Sequence, residues 1–375
     1  MEAITLVLLA AGSSTRFGMG TRKQWLYQGH KPLWQKVADD FVNAFGFEHV
    51  VVTGSADDLD HMRRFGDYAV VAGGATRQAS LRAALQEVVT PWVLVNDVAR
   101  CCLDRIMVER VIAARDQAAC IVPVLGVTDT LYLGDDPVDR TQARRIQTPQ
   151  LSRTDILKRA LESPINHTDE SSAIRALGES IHFVPGSTHA HKLTHAEDLN
   201  HLACLEPPAP ETRVGFGIDT HPFEQDKPMK LCGVALESPF GFKAHSDGDV
   251  ALHAVIDALL GAAGLGDIGE WFPDTDAAYA GADSAPMLEA VIERIRRVGL
   301  AVRNVDLTIV AQIPRILPYK DAMRQRLASL LDLPPHRVNL KATTSEKLGF
   351  IGREEGVTVH AVASLGYFDW TQEHT

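Results

Sequence analysis

Apolar positions fall into two registers along the first half of the chain. Short runs rich in Val, Ile and Leu (Ile4–Leu9, His49–Thr53, Tyr68–Ala72, Trp92–Asn96 and Cys120–Val124) predict buried strands. Between them, Leu33, Val37, Phe41 and Ala44, then Leu81, Leu85 and Val88, follow helical spacing. Strand alternating with helix predicts an α/β domain with a mostly parallel sheet, whose ligands sit at the carboxyl ends of its strands. The pattern breaks at Leu205–Arg213, L-E-P-P-A-P-E-T-R. Prolines this dense exclude a helix interior or a central strand and leave an extended, semi-rigid spacer. After it the sequence restarts with a strand, V-G-F-G-I-D-T-H-P-F. A helix follows, carrying Val250, Ala254, Ala258 and Leu259, with Ser246 or Asp247 as its expected cap. The expected division is residues 1–206, a linker at 207–212, and 213–375. The tail from Asp369 is expected to fray.

Composition narrows the function classes. A chain of 375 residues suggests two or three domains, with ordinary globular values of 45% hydrophobic and 23% charged residues. A net charge of -11 argues against a nucleic-acid or membrane-surface binder, though not against a local basic pocket for a phosphorylated ligand. The cysteines Cys101, Cys102, Cys120, Cys204 and Cys232 are odd in number and form no C-x-x-C pair. That pattern predicts a reducing, cytoplasmic setting with neither a disulfide framework nor a cysteine zinc site. The apolar N-terminus is short and carries an acid where a signal peptide needs basic residues, so it reads as a first strand. No apolar run approaches the roughly 20 residues of a membrane span.

The first strand runs into Ala10, Ala11, Gly12, Ser13, Ser14, Thr15 and Arg16. Such a small-residue loop lets backbone N–H groups approach a phosphate, and it serves equally as an ordinary strand-to-helix turn. Arg16 and Lys23 beside it suit a triphosphate whose charge grows in the transition state, unless they are solvated surface cations. Asp97 closes an apolar strand at the crevice end of the predicted sheet. Asp169-Glu170-Ser171 reads first as a helix cap.

These motifs occur in order with G-G-A-T-R-Q-A-S-L, V-N-D-V-A-R, V-T-D-T, T-P-Q, T-D-E-S-S-A and H-K-L-T. Together they resemble the 2-C-methyl-D-erythritol 4-phosphate cytidylyltransferases along almost the whole first half. The resemblance implies a Rossmann-like nucleotidyltransferase domain that joins CTP to methylerythritol phosphate, with Mg2+ or Mn2+ on the nucleotide phosphates. It implies that Arg16 and Lys23 stabilise the pentavalent α-phosphorus. Ala10, Ala11, Gly12, Ser13, Gly74, Ser80, Asp97 and Arg100 would line the nucleotide site, and Arg140 and Lys192 would hold the sugar phosphate for in-line attack. An arm at about residues 129–144 would swap between subunits of a dimer. Leu9, Arg22, Asn96, Cys101, Thr128 and Tyr132 depart from the family pattern, the last two by removing charge near the sugar-phosphate side.

In the second half, Asp219 and His221 are two apart and share a strand face, and His253 lies on the helix that follows. One Asp and two His make a three-ligand zinc set with an open fourth position, although a lone helix histidine is more often packed in a core. The segment F-P-D-T-D reads as a polar turn, and T-T-S-E-K as a capping box at a helix start. The runs G-F-G-I-D-T-H, A-H-S-D-G-D-V-A-L-H-A, G-D-I-G-E-W-F-P-D-T-D, A-Q-I-P-R-I-L and K-A-T-T-S-E-K-L-G-F-I-G-R-E-E-G closely resemble the 2-C-methyl-D-erythritol 2,4-cyclodiphosphate synthases. That resemblance implies a trimer-forming α/β domain with active sites between adjacent subunits. It implies Zn2+ on Asp219, His221 and His253, with Glu346 helping to hold Mg2+ and His245 and Thr344 stabilising the transition state. Asp267, Ile268, Gly269, Phe272, Pro273, Asp274, Thr275 and Asp276 would surround the methylerythritol end. Ala311, Leu317, Thr343, Ser345, Phe350 and Arg353 would wrap the cytidine and its phosphates.

The expectation is therefore a bifunctional enzyme of non-mevalonate isoprenoid synthesis. Its substrates would be CTP, methylerythritol phosphate and CDP-methylerythritol 2-phosphate. It would form a homo-oligomer, trimer or hexamer, with possible contact to the kinase of the intervening step, and would bind neither nucleic acid nor membrane. Two alternatives stand beside it. One half could be a non-catalytic binding module, or the halves could be a generic nucleotidyltransferase fused to a zinc phosphohydrolase.

Overall fold

The computed structural model describes residues 3–372. Contacts divide the chain into two units. One holds the residues up to Pro208 together with those from Asp369 onward, and the other is Ala209–Phe368.

In the first unit, β1 (Ile4–Leu9), β2 (His49–Gly54), β3 (Ala69–Ala72), β4 (Trp92–Asp97), β5 (Cys120–Gly126), β6 (Arg144–Ile146), β7 (Gln150–Arg153) and β8 (Ile181–Pro185) form an eight-stranded sheet. β1 runs parallel between β2 and β4, β3 parallel to β2, and β8 parallel to β5. β7 is antiparallel to both β4 and β5. All five predicted strands are present, and each predicted apolar run lies on one of them. The helices are α1 (Leu33–Phe45), α2 (Arg77–Ala84), α3 (Arg105–Ala113), α4 (Thr154–Ala160) and α5 (Glu170–Ala176), with one further turn at Leu59–Met62. α1 stops at Gly46, whose φ of 68° is the left-handed turn that glycine adopts most cheaply. α2 ends at Ala84, short of the predicted stretch, yet Leu85 and Val88 stay buried in the following turn, packed with Val7, Val51, Val93 and Ile174. Each such fully buried side chain contributes about 1.5–3 kcal/mol. Asp169 caps α5 by accepting from Ser172 N, as its sequence position suggested.

Two expectations about the edges of this unit are corrected. Cys102 and Cys204, read as free thiols, form a disulfide with Cα atoms 5.5 Å apart, within bridging range. Their separation of 102 residues leaves no local spacing signal. Cys101 lies against them, and burial pushes its thiol up to about 11. The tail was expected to fray, but Trp370 is buried, its indole Nε1 donating to Tyr27 O at 2.8 Å. The last part of that tail, residues 373–375, lies outside the described residues. The proline-rich stretch is anchored at its start: Glu206 N donates to Gln28 Oε1 at 2.7 Å and Gly29 N donates to Pro207 O at 3.1 Å. No helix among the described residues is long and apolar enough to cross a membrane.

In the second unit, β9 (Arg213–Gln225), β10 (Phe240–Phe242), β11 (Leu300–Val310), β12 (Val338–Thr343) and β13 (Gly356–Tyr367) form a sheet ordered β10-β9-β13-β11-β12. Only β11 and β12 pair in parallel. The helices are α6 (Val250–Ala263), α7 (Ile268–Trp271), α8 (Ser284–Arg297) and α9 (Lys320–Leu331), with one further turn at Gly349–Gly352. A Cβ on Gly215 would collide with Ala258 O and Ala262 N, and one on Gly217 with Ala254 O. The α6 backbone therefore rests directly on the β9 backbone. The opposite face of β9 carries Val214, Phe216 and Ile218 at 64%, 59% and 50% exposure.

The cap of α6 is neither Ser246 nor Asp247. Asp249 takes that place, accepting from Leu252 N at 3.1 Å, and it also accepts from Cys232 N and Gly233 N. A fully buried carboxylate with three backbone donors outcompetes the two residues before it, which are used elsewhere. The T-T-S-E-K segment is not a capping box: Glu346 and Lys347 are left-handed, at φ 53° and 63°, and the single helical turn that follows, Gly349–Gly352, is capped at Leu348 without a side-chain bond.

Candidate active sites

The first site forms where β1 and β4 end. Gln24 clamps the loop after β1, its Nε2 donating to Gly12 O at 2.9 Å and its Oε1 accepting from Ser14 Oγ at 3.1 Å. Lys23 N donates to the same Ser14 Oγ. Nothing lies within 4 Å of where a Cβ on Gly12 would stand, so this backbone is open to a ligand. A Cβ on Gly73 would collide with Ala11 Cβ, which fixes glycine where the second loop closes on the first. Ser80 holds that second loop, accepting from Gly74 N at 3.1 Å and donating to Thr76 O at 3.0 Å.

Asp97 sits between two cations. Arg77 Nε reaches its Oδ1 at 3.0 Å and Lys192 Nζ its Oδ2 at 2.6 Å. Burial would raise its pKa, but Arg77 and Lys192 outweigh that and hold the carboxyl well below its usual range. Arg77 is held in turn by the fully buried Glu170, 2.6 Å away. Lys23 Nζ donates to Leu193 O at 3.1 Å, and its ammonium is shifted down by burial and then by the charges of Lys192 and Arg16. Lys23, Lys192 and Arg16, with Arg77 neutralised by its two carboxylates, make a place for a ligand of high negative charge.

Not every predicted residue joins them. Arg100 donates to Ala190 O and Ile146 O, so its guanidinium braces the site's wall. Arg140 lies on the arm and donates to Thr128 O at 2.5 Å. Lys192 lines a cavity of about 410 Å3 with Arg100, Arg145, Gln147, Thr188 and His191, whereas Arg140 does not.

The second site is built on β9 and α6. Asp219 Oδ2 lies 3.1 Å from His221 Nε2 and 3.1 Å from His253 Nδ1. Burial would raise the Asp219 carboxyl, but the two imidazoles hold it well below its usual range; burial lowers His221, and its bond to Asp219 more than reverses this. The three ligand atoms lie within 4.8 Å of one another, and one carboxylate with two imidazoles fits a divalent metal of the zinc type. The triad opens into a cavity of about 430 Å3 lined also by His245, Asp257, Ile268, Gly269, Phe272, Pro273 and Asp274. His245 Nε2 is bonded to Asp276 O at 3.2 Å, and Asp267 caps α7. Thr343, Thr344, Ser345 and Glu346 lie elsewhere. Thr343 ends β12 and the other three follow it, three strands along from β9, which is about 14 Å at ordinary strand spacing. There Thr344 Oγ1 donates to Glu346 Oε1 at 2.8 Å, and Ala311 N donates to Thr343 O. Leu317 and Phe350 are exposed, and Arg353 pairs with Glu355.

Comparison with known proteins agrees with both halves. A sequence model described as 2-C-methyl-D-erythritol 4-phosphate cytidylyltransferase matches residues 4–205, and one described as the YgbB family matches residues 212–366. The bifunctional enzyme IspD/IspF of Sulfurovum sp. (strain NBC37-1) is 57% identical over 373 residues, spanning 100% of both chains. The chain belongs to the bifunctional IspD/IspF family. The structure of the bifunctional IspDF from Campylobacter jejuni is similar throughout, with a TM-score of 0.94, 42% identity, and coverage of 99% of this chain and 100% of that one. This IspD/IspF enzyme therefore carries two activities of isoprenoid biosynthesis. It is a cytidylyltransferase, forming CDP-methylerythritol and diphosphate from CTP and methylerythritol phosphate. It is also a cyclodiphosphate synthase, releasing CMP from CDP-methylerythritol 2-phosphate.

Two groups of the first site were not read as such in the sequence of this IspD/IspF chain. Glu170, read first as part of a helix cap, meets Arg77 across 93 residues, a pairing with no local signature. Gln24, beside Lys23, clamps the loop after β1.

Proposed function

We propose that cytidylyl transfer is performed by Arg16, Lys23 and Lys192 acting on the loop Ala10–Ser13, and cyclisation by the Asp219, His221 and His253 triad with zinc. In the first reaction an oxygen of the methylerythritol phosphate attacks the α-phosphorus of CTP, and diphosphate leaves. The open backbone at Gly12 and the loop held by Ser80 cradle the nucleotide, with Mg2+ or Mn2+ on its phosphates. Arg16 and Lys23 face the charge that grows on the α-phosphate. Lys192, steadied by Asp97, and Arg140 hold the sugar phosphate, Arg140 being supplied by the arm of a neighbouring copy.

In the second reaction the 2-phosphate attacks the β-phosphorus of the same molecule, and CMP leaves. Bound zinc supplies fixed positive charge to a phosphate oxygen. Residues Asp267–Asp276 enclose the methylerythritol end. The observation that carries this reading is the convergence of Asp219 Oδ2, His221 Nε2 and His253 Nδ1. Dialysis against a zinc chelator is expected to abolish CMP release and added Zn2+ to restore it, with diphosphate release from CTP unaffected. Undiminished CMP release after complete zinc removal would reject the assignment.

We further propose that the second site is shared between copies of the chain, as a trimer or a trimer-based hexamer. The separation of Thr344 and Glu346 from the triad supports this, since a neighbouring copy can supply them. The exposed apolar row Val214, Phe216 and Ile218 supports it too, being a sheet face of the kind buried in assemblies. Phe216→Asp is expected to reduce the mass in sedimentation to that of a single chain, or of a dimer if the arms still pair, and to lose cyclisation. A variant that remains trimeric and active would refute the shared site.

A further inference from the structure

The ring of His253 has a second nitrogen, and what it meets is not explained by the triad. His253 Nε2 lies 2.9 Å from Ser284 Oγ, the first residue of α8. Ser284 is fully buried and donates its hydroxyl to Asp247 Oδ1 at 2.6 Å. Asp247 is held in place from two sides, its Oδ1 accepting from Asp249 N at 3.3 Å and its Oδ2 pairing with Lys230 Nζ at 3.3 Å. Ser246 Oγ approaches the same His253 nitrogen at the longer distance of 3.3 Å.

The direction of this chain follows from its donors and acceptors. A carboxylate only accepts, so the Ser284 proton points at Asp247. The Ser284 oxygen is then left as an acceptor for an N–H from His253 Nε2. A ring protonated at Nε2 has its lone pair on Nδ1, the nitrogen that faces Asp219.

We propose that Ser284 and Asp247 are positioning residues for the metal: they fix His253 as its Nε2–H tautomer and hold the ring so that Nδ1 serves as the third ligand. The proposal rests on the reading of Asp219, His221 and His253 as a zinc site. His221 is treated the same way by a simpler device, its Nδ1 bonded to Gly248 O at 3.1 Å. Outer partners of this kind orient metal-bound imidazoles, and their loss weakens metal binding by about 10–100-fold.

The test uses the full-length protein and zinc alone. Zinc affinity is read by competition with a chelating dye, and the imidazole nitrogens by 15N NMR of the zinc-loaded protein. Wild type is expected to bind one zinc per triad and to show a slowly exchanging Nε2–H on His253. Ser284→Ala is expected to bind zinc about 10–100-fold more weakly, with that N–H exchanging fast. Asp247→Leu is close in size and removes both acceptor oxygens, so the Ser284 hydroxyl is no longer held pointing away from His253. It is expected to move both readouts in the same direction and decides the matter if Ser284→Ala fails to fold. Zinc affinities within twofold of wild type, or weakened binding with the Nε2–H signal unchanged, would overturn the positioning role. A wild-type protein that binds no zinc would instead overturn the triad's assignment and this inference with it.

Discussion

His253→Ala is expected to abolish zinc retention and CMP release while leaving diphosphate release from CTP at the wild-type rate. Asp219 Oδ2 stands equally far from the two imidazoles, so removing one leaves a bidentate remnant. Two ligands do not make the closed side of a catalytic zinc site, which takes three protein donors. The substitution also leaves the Ser284 oxygen without the ring nitrogen it faces. Cytidylyl transfer serves as the internal control, because its residues all belong to the other unit. Metal content by mass spectrometry and the two product assays check the result. Retained zinc, or loss of both activities together, would contradict it.

Lys23→Ala is expected to lower the kcat of cytidylyl transfer by about 10²–10³-fold, the usual cost of deleting one charge-stabilising donor. The backbone around Lys23 is held by Ser14 and its ammonium by Leu193 O, so the cation is placed before the ligand arrives. Burial and the nearby cations Lys192 and Arg16 disfavour its charge in the free protein. A ligand bearing several negative charges relieves that repulsion, most of all in the transition state, where charge on the α-phosphate is greatest. The effect should appear in kcat with CMP release unchanged. A rise in KM alone would reassign Lys23 to ground-state binding.

Much of this was readable in the chain, and the reasons are physical. The buried strands Ile4–Leu9 and Trp92–Asp97 show as apolar runs because both of their faces are covered. Asp219 and His221 were readable as partners because strand geometry puts alternate residues on one face, and the helical period placed His253 on α6. The cap of α6 was placed two or three residues too early. Ser246, Asp247 and Asp249 are all competent caps, and only tertiary packing assigns Asp249 to the backbone and Asp247 to Ser284. The Cys102–Cys204 bond and the Arg77–Glu170 pair join distant positions and leave no periodic trace. The motif Thr343–Glu346 was visible as a motif, but its distance from the triad depends on strand order, which local pattern does not encode.

The contact between Gly215, Gly217 and the helix above them bears on how this enzyme tolerates change. Two backbones in direct contact are separated by fixed atomic radii, whereas elements spaced by side chains drift apart or together as those side chains are exchanged. The spacing between the pair on β9 and the histidine on α6 is thus inherited from the peptide unit itself. Exchanges at the buried Leu259 and Leu260 therefore act on folding stability before they act on the β9–α6 spacing. That part of the cage is buffered against mutational wear in the core, and its weak point is the α6–α8 packing that brings Ser284 to the His253 ring.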